Sequence, residues 1–392
     1  LPSEDGFVFE PAGGGFNLPH PALDHFVTSF GLDVVPAVGA RQRYLAWSDR
    51  LTELPTSPPA MLVSPVISGS AKARVLQEPA VTSSQEEGES LLSFLTRRFG
   101  DEAGRLGAHL AATGVFAGDP AELSVEAAFP RLVSLEATSG SVLRGMMDAR
   151  RARPAGAEAP RHFVPRDGVA ALAGRLADPL EIRTGFRVLS IDQTSGTWRI
   201  NGPQVIEVDA VVLAIGTDAA ARIVPEGLAE MLTGRPTAPV AVVGLGSRSG
   251  DRPFPEGFGA LAHPDAGLVS LGVLFESGYA PGRAPEGGFL AKVIAGGAQW
   301  PEVVEWPDDY LVRVVGSELA SMLGRSIDVD WVRVVRQEIP QYRSGHLRWL
   351  SKVQSVVDAF AGLHLTGWGY RGIGIGQVAA DALSIAEAVT ND

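Results

Sequence analysis

A glycine-dense segment, Gly367–Gly376 ("GWGYRGIGIG"), lies between a strand-like run, "GLHLTG", and a helical run, "QVAADALSIAEAV". Strand, glycine loop and helix in that order make an anion site, because a helix N-terminus presents free N–H groups and the positive end of a dipole. The first six residues spell G-x-G-x-x-G, the dinucleotide fingerprint. That fingerprint needs a following strand with an acid about twenty residues on. Here that position is Asp392, the last residue. The loop therefore cannot be the primary nucleotide cradle.

The rest of the chain alternates strands and helices. Residues 1–80 are rich in Pro and Gly with short β-like pieces, "GFVFE" and "QRYLAW". Ser83 and Ser84 precede Glu86 and Glu87 at capping-box spacing, ahead of a helix in which Leu91, Leu92, Leu95 and Phe99 share one face. Helical patterns run to about Met147, and "DARRARPAGAEAP" reads as an exposed linker. After a short helix in "RDGVAALAGRLAD", strands fill "FRVLSIDQTSGTWRINGPQVIEVDAVVLAIG". Its Asn201-Gly202 step signals a hairpin. "DAVVLAIG" has the continuous apolar character of a strand buried on both faces. Further strands are expected in "APVAVVGLG", "GLVSLGVLF", "FLAKVIAGG" and "DVDWVRVV", with an amphipathic helix at "YLVRVVGSELASMLG". The pattern indicates a multi-domain α/β plus α+β enzyme.

Two more segments suggest a ligand. The strand ending at Gly216 follows a three-strand meander, an arrangement that recurs in flavoproteins; the alternative is any buried parallel strand. "FEPAGGGF" (Phe9–Phe16) lets backbone approach a flat or charged ligand closely, or is a flexible turn. Other chemistries are excluded by what is missing. The 392 residues contain no cysteine, so there is no disulfide, thiolate metal site or thiol nucleophile. The seven histidines never stand at metal spacing. Net charge is −12, and three lysines stand against thirty arginines. That balance argues against nucleic acid and against a polybasic membrane tether. No apolar run reaches the eighteen or so residues of a transmembrane helix.

Several stretches, in order, resemble the HemY-type, FAD-dependent protoporphyrinogen/coproporphyrinogen oxidase family, within the flavin amine-oxidase-like superfamily. They are "DGFVFEPAGGGF", "ARQRYLAWSDRLTELPTSP", "GVFAGDPAELSVEAAFP", "EGFGALAHP", "EIPQYRSGHL" and "GLHLTGWGYRGIGIG". The resemblance implies an FAD-binding Rossmann-like domain formed by 1–16, 160–222 and 350–392. It implies an antiparallel-sheet substrate domain in 17–69 and 223–349, and a helical, peripherally membrane-associated lobe in 70–159. Family members begin with a βαβ unit carrying the true G-x-G-x-x-G. By that pattern the unit would precede Leu1, and "GWGYRGIGIG" is the closing half of a split FAD site.

The resemblance also assigns roles. Arg43 would pair with a substrate propionate, as suits a planar guanidinium. Tyr44, Gly259, Leu261 and Ile294 would line the macrocycle pocket. Ala12, Gly13, Gly14 and Gly15 would lie against FAD. Val188 would meet the adenine, and Gly216, Gly367, Gly372, Ile373, Gly374 and Ile375 would complete the cofactor site. No metal is implied. The reaction would be oxidation of a porphyrinogen to the porphyrin in haem biosynthesis. FAD would take the hydride and O2 the electrons, in a cytoplasmic protein for which a homodimer is compatible. Protoporphyrinogen against coproporphyrinogen stays open. Two other readings stand beside this one: an amine oxidase or desaturase on the same scaffold, and a truncated, FAD-less homologue without activity.

Overall fold

The computed structural model describes residues 5–391 apart from 57, 85, 155, 157, 249 and 251. Its centre is a seven-stranded sheet. The strands are β1 (Arg43–Ala46), β2 (Leu51–Glu53), β3 (Thr237–Ser247), β4 (Gly259–Ala262), β5 (Ser270–Leu274), β6 (Phe289–Gly296) and β7 (Trp331–Pro340). They lie in the order β7-β3-β6-β5-β4-β1-β2. All neighbours are antiparallel except β4 and β1, whose parallel register sets Gly259 beside Arg43 and Leu261 beside Leu45.

Side chains alternate across a strand, and here both faces are covered. Ala241, Val243 and Leu245 of β3 and Ala291, Val293 and Ala295 of β6 pack with Leu311, Val315, Leu319 and Met322 of a long helix, Asp308–Leu323. Val240, Val242, Leu290 and Ile294 belong to the opposite face, with Phe7, Phe9 and Trp331. Two-sided burial explains why these strands read as unbroken apolar runs. Phe7 stacks on Trp331 at 4.7 Å between ring centroids, and Phe9 meets the same ring edge-on at 5.8 Å. Gly244 and Gly246 make room for both: a Cβ there would come within 2.9 Å of the Phe9 ring and 2.7 Å of the Phe7 ring.

Against this sheet lies a helical region. Helix α1 (Leu91–Phe99) is followed by α2 (Asp101–Phe116), with Gly100 at φ +83° turning the chain between them. Leu91, Phe94, Leu95, Ala108, Ala112 and Phe116 share one core. α2 reaches the sheet: His109 Nε2 lies 3.1 Å from the Ala262 carbonyl oxygen. Three smaller sheets complete the fold. One is antiparallel, with Arg161–Pro165 between Phe16–Leu18 and Val34–Pro36. One is the meander Ser190–Thr194, Thr197–Asn201 and Ile206–Val208. The third pairs Val211–Leu213 with Leu363–Leu365 in parallel, and the terminal loop leads from it into helix α3 (Ile375–Asn391).

Three local expectations are corrected, and one further turn is added. "GFVFE" forms no strand. It crosses the sheet as a loop, with Val8 N–H donating to the Arg283 carbonyl, because its two phenylalanines are drawn onto Trp331. α1 is capped by Ser90, whose hydroxyl accepts from Ser93 N–H, whereas Ser84 N–H donates to Glu136 Oε1. In the meander the tight turn is Ser195-Gly196, at φ +53° and +85°, which suits a two-residue hairpin loop. Asn201-Gly202 opens the second hairpin, as expected: its longer connection joins Thr197–Asn201 to its antiparallel partner Ile206–Val208. "DAVVLAIG" is not buried on both faces: Val212 is 43% and Ile215 40% exposed. Val211 and Leu213 pack into a core with Trp198, Leu228 and Leu363, whereas Val212 points to the other face.

Candidate active site

One apolar cavity of about 330 Å³ lies between α2 and the sheet. Arg43, Tyr44, Gly259, Leu261 and Ile294, all named from sequence for the substrate pocket, line it together. They come from β1, β4 and β6, brought together by the sheet order. Sequence reasoning missed the opposite wall, where Leu110, Thr113, Gly114 and Val115 of α2 face the cavity, and also missed Phe258 and Leu271. A glycine inside a helix was the available signal. At Gly114 a Cβ would come within 3.1 Å of Leu261 Cδ1, so glycine lets the helix approach.

Arg43 is the cation of this wall. Its guanidinium lies 5.0 Å from the centroid of the Phe258 ring, and no carboxylate is within ion-pair distance among the described residues. Burial holds its pKa below the usual guanidinium value, yet arginine stays charged at any working pH. Tyr44 donates its hydroxyl proton to the Glu256 carbonyl at 2.8 Å, which fixes its ring. Arg43 also borders a polar vestibule of about 670 Å³, lined by Arg41, Arg161, His162 and Asn17. Burial, and then the charge of Arg43, push the His162 pKa down, with Glu276 opposing.

The residues named for the cofactor form a connected line. Val188 lines an apolar groove with Val212, Ile215 and Arg222. Gly216 is the N-cap of the next short helix, Thr217–Ala221. Thr217 lies against Gly369 of the terminal loop, 3.2 Å from where a Cβ would stand. Thr366 N–H donates to the Leu213 carbonyl at 3.1 Å and leads into Gly367. At the far end of the loop, Ile375 Cδ1 lies 3.7 Å from a Cβ placed on Gly13, so the terminal loop and the Ala12–Gly15 loop face each other. A Cβ on Gly15 would sit 2.7 Å from His162 Nε2, and it would overlap the Phe163 carbonyl oxygen as well. Only glycine allows that approach, and it brings the loop to the vestibule and Arg43. Ile373 turns the other way and packs on the helical core.

The terminal loop is buttressed by the Tyr342 and His346 of "IPQYRSGH". The Tyr342 hydroxyl donates to the Trp368 carbonyl at 2.6 Å and accepts from Gly372 N–H at 2.7 Å. His346 stacks on the Tyr342 ring at 4.0 Å, and its Nε2 lies 2.8 Å from the Tyr370 carbonyl oxygen. Burial pushes the Tyr370 hydroxyl pKa up to about 12, so it stays neutral.

These parts suit a flavin dinucleotide. An apolar groove, a helix N-terminus and two facing glycine loops adjoin a separate apolar cavity bordered by Arg43, which has no carboxylate partner among the described residues. The sequence profile of the family "Flavin containing amine oxidoreductase" matches residues 2–390. Among curated proteins, the chain is 27% identical to the chloroplastic protoporphyrinogen oxidase of Nicotiana tabacum, covering 98% of this chain and 77% of that one. It is 24% identical to the coproporphyrinogen III oxidase of Bacillus subtilis, covering 99% and 87%. The solved structure of a candidate protoporphyrinogen oxidase from Exiguobacterium sp. 255-15 superposes with TM-score 0.82 at 22% identity, covering 98% and 88%. A reduced UDP-galactopyranose mutase shares the fold at TM-score 0.73 and 14% identity. The chain belongs to the flavin-containing amine oxidoreductase family, and its cofactor is FAD.

Proposed function

We propose that this FAD-dependent oxidoreductase oxidises a porphyrinogen, protoporphyrinogen IX or coproporphyrinogen III, to the porphyrin with O2 as acceptor in haem biosynthesis. The observation that carries the reading is the pairing of an apolar cavity with Arg43, a cation with no carboxylate partner among the described residues, at the junction of cavity and vestibule. A porphyrinogen is a broad apolar ring edged by carboxylates, and it meets both demands at once. An amine would meet a like charge at Arg43. The names of the relatives support the same substrate class.

In this reading Leu261 and Ile294 exclude water from the macrocycle faces, and Tyr44 adds an aromatic wall held by Glu256. Arg43 takes one propionate by bidentate bonding. Arg41 and Arg161 make the vestibule favourable to further carboxylates. Bound FAD would supply the redox chemistry, taking two electrons from the ring in each of three rounds and passing them to three O2, which would leave as peroxide. His162 stands beside Gly15 at the vestibule wall, next to Arg43. Residues 1–16, 160–222 and 350–392 make up the FAD part, residues 17–69 and 223–349 the substrate part. The helical lobe, 70–159, provides the α2 wall. No helix among the described residues is long and apolar enough to cross a membrane. Peripheral membrane contact by the lobe is testable by vesicle flotation.

Arg43→Gln tests the reading. The KM for a porphyrinogen is expected to rise about tenfold or more while kcat changes little, because the lost contact is uniform binding. An unchanged KM would contradict the assignment.

A further inference from the structure

The glycine loop is gripped by its carbonyl groups. Lys292 Nζ donates to the Glu10 and Ala12 carbonyls at 2.8 and 2.9 Å. Gln337 Nε2 donates to the Pro11 carbonyl at 2.6 Å, and Arg283 Nη2 to that of Gly14 at 3.2 Å. Lys292 and Gln337 stand on β6 and β7, so the grip comes from the sheet. Lys292 is 1% exposed, and its ammonium also lies 2.8 Å from Glu276 Oε1. Leu290 and Ile294, on the same face of β6, are apolar. An ammonium taken out of water costs several kcal/mol unless it is fully paired, and an aliphatic residue would fill the strand without that cost. Stability alone therefore does not explain a lysine here.

A trans peptide points the C=O of one residue and the N–H of the next in opposite directions. Fixing the Pro11 and Ala12 carbonyls on the sheet side thus aims the N–H groups of Ala12 and Gly13 away from the sheet. Among the described residues those two N–H groups donate to nothing. We propose that Lys292, together with Gln337 and Arg283, is a positioning residue that holds the glycine loop by its carbonyls so that the Ala12 and Gly13 amides face the flavin. The proposal rests on the placement of FAD against this loop. Glu10 completes the clamp, since its Oε1 accepts from Val169 N–H at 2.6 Å and lies 3.8 Å from Arg283 Nη1.

The test is hydrogen exchange on the full chain with and without FAD, together with FAD titration. Two variants are compared with wild type. K292M/E276Q removes the ion pair without leaving an unpaired charge, and Q337L touches no charge. FAD is expected to slow exchange of residues 10–16 in the wild type. In each variant that segment should exchange about tenfold faster, with 289–296 unchanged. The dissociation constant for FAD should rise about tenfold, and the bound-flavin absorption band should lose its resolved shoulders. If K292M/E276Q does not fold, Q337L carries the test. Folded variants whose loop exchange or FAD affinity stays within about twofold of wild type would overturn the clamp. A wild-type loop that FAD does not protect would instead overturn the placement of the flavin. No substrate enters the assay, so its outcome is independent of the porphyrinogen reading.

Discussion

The molecule buries two charge networks, and they are built differently. In the helical region Arg98 and Glu78 are fully buried, with Glu136 and Ser141 beside them. Glu78 accepts from Arg98, from the Ser141 hydroxyl and from the Val142 and Leu143 N–H groups. Arg98 also donates to Glu136 and to the carbonyls of Val81, Glu78 and Gly140. Burial works against the Glu78 carboxylate, yet these bonds hold its pKa below the usual carboxylate value. Behind the glycine loop, Glu10, Glu276, Arg283 and Lys292 are equally buried and equal in opposite charge, but the accounting does not close. Among the described residues, both Glu276 oxygens and Arg283 Nε and Nη1 find no hydrogen-bond partner of good geometry. The 2.8 Å contact from Lys292 to Glu276 has an ion pair's distance without a hydrogen bond's angle. Burial, and then the Glu276 charge, push the Tyr279 hydroxyl pKa well up.

Native interiors leave few buried polar groups unpaired, and each exception calls for an explanation. The first network spends its donors on its own helices and therefore acts as scaffold. The second spends them on a loop that faces the cofactor, at a cost in its own satisfaction. The two should thus fail in different currencies.

The largest expected effect is in the scaffold network. Arg98→Leu leaves the buried Glu78 without its cation, while Glu136 keeps Arg97 at 2.8 Å, and should lower stability by about 3–5 kcal/mol in urea unfolding. FAD affinity of the protein that remains folded should not move. A change in FAD affinity without a change in stability would break the distinction between the networks.

Tyr342→Phe comes next. It keeps the ring that stacks on His346 but removes the hydroxyl shared by Trp368 and Gly372. Stability should fall by about 1–2 kcal/mol, and the terminal loop should exchange its amides faster, as hydrogen exchange would read out.

The smallest effect is a slope with pH. Burial lowers the His346 pKa, against the pull of the Tyr370 carbonyl, and the Arg235 charge lowers it further. The unfolded chain then takes up the proton more readily than the folded one. This contribution is intact above about pH 6.5 and is lost as pH falls below it. His109 acts in the same direction, also through burial. His346→Phe should flatten part of the slope in denaturation series on either side of that pH. A steeper slope would contradict the assignment.

Much of this was readable in the chain. The apolar runs of β3 and β6 marked strands because both of their faces are covered. The pocket residues from Arg43 to Ile294 were legible only through resemblance, since no periodicity links β1 to β6. The turn at Ser195-Gly196 was hidden by the more familiar Asn-Gly step nearby. Ser90 was passed over as a cap because capping depends on which hydroxyl meets the third amide, and Ser83, Ser84 and Ser90 look alike in sequence. A lysine inside "FLAKVIAGG", one of three in the chain, was a visible sign of a buried cation. Its partners, the Glu10 and Ala12 carbonyls, are some 280 residues away and could come only from the fold.

The most direct measurement is anaerobic mixing of the FAD-loaded chain with a porphyrinogen, followed by absorption. The account predicts that the oxidised-flavin band bleaches anaerobically, one two-electron step per flavin, and that admitting O2 restores the flavin and lets the further rounds build the intense porphyrin band. A flavin that stays oxidised with porphyrinogen but bleaches with an amine would contradict it.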